Sequence, residues 1–133
     1  MKGVSHVVVG AAIGHVIGQP LLGFMGGLGS HIIADIVPHR HVKMEFDLLA
    51  SLVLAGSILI LVESQIFLAT SLGIVGSVLP DVEIVFWKFG ILEKDQLVFP
   101  SHAFLPHNEA SNFANLIGDV SIFSLSFCLI LFS

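Results

Sequence analysis

Residues 47–62 read DLLASLVLAGSILILV, and beyond Asp47 the stretch holds no charged side chain. A run this apolar and this long predicts a helix that spans a membrane, though it is slightly shorter than the ~20 residues a full crossing prefers. The rest of the chain agrees. Across 133 residues, 55% are hydrophobic, only 11% are charged, and the mean hydropathy is +0.98. A soluble domain of this size needs a far more charged surface. Five Lys+Arg cannot cover it, so lipid is the expected solvent.

Four further apolar segments flank the first, at 4–18, 20–37, 66–79 and 112–132. The expectation is one all-α domain over 1–133, an integral membrane bundle of about five transmembrane helices with a short interfacial helix. Gln19-Pro20 makes a tight turn and places Pro20 at the first position of the second helix, where its missing N–H costs nothing. Pro38 stops that helix, and Pro80 ends the fourth. A loop at 81–111 follows, carrying a short amphipathic helix at 82–92 that Trp87 and Lys88 anchor at the interface. Mutual packing or bilayer thinning absorbs the shortness of several spans. The N-terminal stretch has one basic residue, Lys2, and no clean small-residue cleavage site, so it reads as a retained helix and not a signal peptide.

With the N-terminus in the cytoplasm, Lys2, Arg40, Lys43, Lys88 and Lys94 all fall on the cytoplasmic side, as the positive-inside rule requires. The expected setting is the inner membrane of a prokaryote, with membrane lipid as the surrounding partner. The net charge of −5 leaves no basic stripe for nucleic acid. The single cysteine, Cys128, excludes an intramolecular disulfide and reads as an inert packing residue. Small residues recur every four positions at Gly10, Gly14 and Gly18, at Gly26, Ser30 and Ala34, and at Ala69, Gly73 and Ser77. Such stripes let helix backbones approach closely in lipid and leave room for pairing of two copies. A faint repeat sets Gly26–Ser30 before Asp35 and Gly73–Ser77 before Asp81, either a duplicated hairpin or chance in a glycine-rich chain.

Seven histidines stand beside only five Lys+Arg and ten Asp+Glu. Ionisable groups inside a membrane are costly, and they mark function by default. His31, Asp35 and His39 are spaced four apart and stack on one helix face, two imidazoles and a carboxylate on one rigid element. If hairpin one turns near Pro20, His6 lies level with Asp35. Asp81, Glu83, His102 and His107 belong to the same end. The candidate metal ligands are therefore His6, His31, Asp35, His39, Asp81, His102 and His107. His15 sits roughly 13 Å deeper at the helical rise and reads as a hydrogen-bonded interior residue. His41, beside Arg40, reads as a solvated loop residue. Asp119 reads as an interhelical hydrogen-bonding partner, and Glu63 as a marker of the outer interface.

The stretch Gly29-Ser30-His31-Ile32-Ile33-Ala34-Asp35 resembles the SHxxxD helix of the bacterial membrane-bound metal-dependent hydrolases of the YdjM type. Val78-Leu79-Pro80-Asp81-Val82-Glu83 is similar to that family's LPDxD segment, with Glu83 in place of the second aspartate, and Ser5-His6 is similar to its N-terminal helix histidine. The two larger segments stand here in the opposite order. Ser101-His102-Ala103-Phe104-Leu105-Pro106-His107 is only a loose counterpart of the family's HRGxTHS segment. The resemblance implies a distant relation to the zinc-dependent phospholipase C and single-strand nuclease group.

The leading expectation is thus a membrane-embedded metal-dependent hydrolase of a phosphate ester at the cytoplasmic surface. Its ion, zinc first among the candidates, would activate water and draw phosphoryl charge. Glu83 is the candidate general base, and Arg40 or Lys43 the holder of phosphate charge. The phosphate substrate comes from the resemblance alone. The alternatives are a non-catalytic metal carrier or metal-binding protein, haem held by paired histidines, and a structural subunit of a larger complex.

Overall fold

A computed structural model describes residues 3–36, 43–99 and 112–132. Within them Gly3–Ile17 forms α1, Pro20–Ile36 α2, Met44–Leu61 α3, Phe67–Lys88 α4 and Asn112–Phe132 α5, with a 3-10 turn at Lys94–Gln96. There is no strand among the described residues, so the chain is all-α as expected. Two helices, α3 and α4, are long and apolar enough to cross a membrane, while α1 and the Val120–Ile130 part of α5 are shorter. This is less than the expected five spans. α3 is no buried core helix, because Phe46, Leu49, Leu52, Val53, Ile60 and Leu61 all lie exposed along it.

α1 is the axis of the bundle and packs against all four other helices. Its Val7, Val8 and Ala11 meet Ile58 of α3 and Ile74 of α4 in an apolar core that Phe123 and Ile130 of α5 help to cover. Where α1, α2 and α4 meet, glycine removes the side-chain layer. A Cβ on Gly14 would run into the carbonyl of Ala69, and one on Gly27 into that of Gly73. A Cβ on Gly10 would come within 2.5 Å of the Gly73 carbonyl oxygen and 2.7 Å of Ser77 Cβ. The three backbones of α1, α2 and α4 therefore touch directly. Rising numbers in α1 meet falling numbers in α4, so these two run antiparallel, whereas α2 and α4 run parallel.

The small-residue stripes differ from expectation on two helices. α2 presents Gly23 and Gly27 to α4, while Gly26 faces the Ile13 side chain of α1 and Gly29 meets nothing. The hydroxyl of Ser30 turns back to its own helix at the Gly27 carbonyl, 2.7 Å away. Gly18 takes no part in packing. It ends α1 with φ +64°, a left-handed conformation in which a side chain is strained. Pro20 opens α2 as anticipated. The two segments of the faint repeat lie against each other in parallel helices, Gly27 on Gly73.

The largest departure is at Pro80. It lies inside α4, which continues through Asp81, Glu83 and Trp87 to Lys88, so the expected break, the separate helix at 82–92 and the loop start at 81 are not observed. A proline removes one ladder donor, but helices tolerate it where neighbouring elements satisfy the freed groups. Pro80 is fully buried against such neighbours. Cys128 is exposed and packs no interior.

Candidate metal centre

The i, i+4 spacing on α2 does what helical geometry demands: His31 Nε2 lies 3.1 Å from Asp35 Oδ2. The tight turn after α1 then folds His6 to the same level, with its Nε2 3.5 Å from Asp35 Oδ1. The His6 and His31 rings stack with centroids 4.0 Å apart. One ligand atom from each of His6, His31 and Asp35 lies within 4.8 Å of the others. From α4, Asp81 Oδ1 comes to 3.9 Å of His31 Nε2.

The chemistry of this set is that of a cation site. His31 Nδ1 stands 2.6 Å from the main-chain carbonyl of Ser77. A carbonyl only accepts, so Nδ1 carries the proton and donates it, which fixes the ring's orientation and points Nε2 at Asp35. For His6, both ring nitrogens are buried without a hydrogen bond among the described residues, and 3.5 Å to Asp35 is too long for a good one. Ligands around one zinc at bonds of roughly 2.0–2.1 Å stand about 3.3 Å from one another. The separations from Asp35, 3.1 Å at Oδ2 and 3.5 Å at Oδ1, are close to that value, while the set of one ligand atom per residue spreads over up to 4.8 Å.

Burial sets the direction of access. His6 is 1% exposed, His31 0% and Asp35 5%, whereas the Asp81 side chain is 32% exposed. Among these four described side chains, Asp81 is the most accessible to solvent.

Supporting groups come from the neighbouring helices. Asp47, in the first turn of α3, does not cap its own helix. Its Oδ2 accepts from Gly3 N–H at 2.8 Å and its Oδ1 lies 3.4 Å from Val4 N, which closes the N-terminus of α1 just ahead of His6. Ser77 Oγ donates to the His6 carbonyl at 2.8 Å. Sequence reading saw Ser77 only as a small stripe residue and Asp47 only as the start of a span. Their residue types carry no signal of these bonds, which are made to main-chain atoms of other helices.

Of the remaining expected site residues, only Glu83 lies among the described ones. Glu83 uses both carboxylate oxygens on the backbone amides of Val98 and Phe99, at 3.1–3.2 Å, and so folds the segment after α4 back along it. His39, Arg40, His41, His102 and His107 lie outside the described residues, as does the side chain of Asp119. His15 stands apart from the cluster, and its buried Nδ1 makes no hydrogen bond among the described residues, contrary to the interior bond expected of it. Searched as a whole, the chain matches no family model, no curated protein and no solved structure.

Proposed function

We propose that this chain is an integral membrane protein that holds a divalent metal ion between α1 and α2 and uses it to hydrolyse a phosphate ester. One observation carries the reading, the bond from His31 Nδ1 to the Ser77 carbonyl. It is the arrangement by which proteins orient a metal-bound imidazole: the outer nitrogen is committed to a carbonyl and the inner one is left to bind. The carboxylate of Asp35 beside two imidazoles adds to it, since imidazole nitrogens and a carboxylate oxygen are the donor types of a zinc-like site.

The exposed apolar length of α3 and the scarcity of charge support the membrane setting. The positive-inside pattern supports a cytoplasmic N-terminus and a prokaryotic inner membrane. The phosphate class rests on the likeness to the YdjM-type hydrolases, and zinc is the first metal to test. A bound ion supplies Lewis acidity toward water and a phosphoryl oxygen. Asp81, the more exposed carboxylate, would take a proton from a water that adds to phosphorus and pass it to the alkoxide oxygen as the ester P–O bond breaks, so that an alcohol leaves.

Non-catalytic metal binding has one observation in its favour, the near-complete burial of His6, His31 and Asp35. The carrier form of that alternative fares worse. Beyond the site, Gly14 on Ala69 and Gly27 on Gly73 close the three backbones together where an ion path toward His15 would run.

Elemental analysis of detergent-purified protein tests the reading. About one ion per chain is expected in the wild type and almost none in His31→Ala/Asp35→Ala. Equal metal content in the two ends the proposal. Release of alcohol from a phosphate ester by the metal-loaded wild type then separates hydrolysis from binding alone.

A further inference from the structure

Three helical serines bond to their own helix alone: Ser30 to Gly27, Ser57 to Val53 and Ser71 to Phe67. Such back-bonding is the ordinary fate of a hydroxyl in an apolar helix. Ser77 departs from it. Its hydroxyl lies 2.8 Å from the carbonyl of His6 on α1 and 2.9 Å from that of Ile74 on its own helix, and shares one proton between them. Its own carbonyl accepts the Nδ1 proton of His31 on α2. Both histidines of the cluster are thus tied to one fully buried residue of a third helix.

We propose that Ser77 is the positioning residue of the metal centre, holding His6 through its side chain and His31 through its main chain. The inference rests on the metal reading above and adds what keeps the two imidazoles at a fixed separation. Two local features make the residue fit for it. Gly10 has no Cβ, and any Cβ there would strike the Ser77 hydroxyl, so the glycine opens the space that lets the hydroxyl reach α1. Pro80 follows three positions later without an N–H, which leaves α4 a donor short in the turn from Gly76. The acceptor left over is the Gly76 carbonyl, next to the Ser77 carbonyl that His31 uses. Ser77 touches no substrate; it acts through the ligands.

The test is a double-mutant cycle on cobalt affinity, read from visible absorption of detergent-purified protein. Ser77→Ala keeps the carbonyl and removes the hydroxyl, and cobalt is expected to bind about tenfold more weakly, as for other groups that orient a ligand. In a His6→Ala background the same change is expected to alter affinity less than about twofold, because the tether to the residue 6 carbonyl then positions no imidazole. A general loosening of the bundle would cost the same in both backgrounds, and that result overturns the proposal. So does equal affinity of Ser77→Ala and wild type. Amide hydrogen exchange of metal-free protein gives the independent readout: Ser77→Ala is expected to speed exchange over residues 3–10 of α1 and to leave α2 unchanged. Wild type that takes up no cobalt, together with that exchange pattern, sinks the metal reading and keeps the tether. Unchanged exchange in α1 sinks the tether.

Discussion

The imidazoles of His6 and His31 lie face to face, 20° from parallel, although they belong to different helices. The stack puts both Nε2 atoms on the side of Asp35 and spends the other face of each ring on its neighbour. α1 and α2 can approach this closely because glycine takes the place of side chains where they meet α4. Packing and chemistry are therefore one arrangement: the contacts that bring three backbones together also bring three ligand atoms together.

Asp35→Asn keeps the shape of the side chain and removes its charge. Metal affinity is expected to fall by more than about a hundredfold, beyond the range for groups that only support a ligand. Metal-free stability is expected to fall, because the charge that Asp35 sets beside His31 and His6 is gone. Thermal unfolding in detergent with and without zinc checks both. Wild type should gain Tm with zinc and the variant should not; a variant that still gains has its ion elsewhere.

Gly14→Ala forces a methyl group against the Ala69 carbonyl. The expected cost is at least about 1–3 kcal/mol, the usual range for overpacking. Gly56→Ala on α3 is the control, since nothing lies within 4 Å of its added carbon. It should be neutral, or stabilising by roughly 0.5–1 kcal/mol from helix propensity. Denaturation in mixed micelles compares the two, and equal effects would contradict the backbone contact.

Asp47→Ala removes the carboxylate that closes the N-terminus of α1. A lost cap costs about 1 kcal/mol, and up to roughly 2. Faster amide exchange at Gly3 and Val4 is the direct measure. Asp47→Asn, which retains an accepting oxygen, should lose less.

Glu83→Ala is expected to free the segment held along α4. Exchange at the Val98 and Phe99 amides should rise at least about tenfold as two or three charge-assisted bonds vanish. Metal content should stay at the wild-type level. A loss of metal in this variant would return Glu83 to the ligand set.

His15→Ala separates a site at one end from a path through the bundle. Metal content and affinity are expected to be unchanged, because the ring stands apart from His6, His31 and Asp35. A clear fall in either, measured by elemental analysis and cobalt titration, would favour the carrier reading.

Helix content and the heart of the site were legible because both follow from near-neighbour rules. The apolar runs, the Gln19-Pro20 turn and the His31/Asp35 spacing are properties of one stretch of chain. Equal depth along a hairpin was enough to bring His6 to Asp35. Pro80 misled for the same reason. Read locally it ends a helix, and only burial within the bundle makes its interior position tolerable.

Residue order alone determined an all-α, lipid-compatible chain with imidazoles and a carboxylate on one helix face, since hydrophobicity and the helical repeat are written along the backbone. Only tertiary structure decided that α2 pairs with α4, that Ser77 lends its carbonyl to His31, that Asp47 caps a helix it does not belong to, and that Glu83 holds main-chain amides. Those depend on which surfaces fit when distant segments pack, and a main-chain acceptor looks the same at every position until another helix arrives beside it.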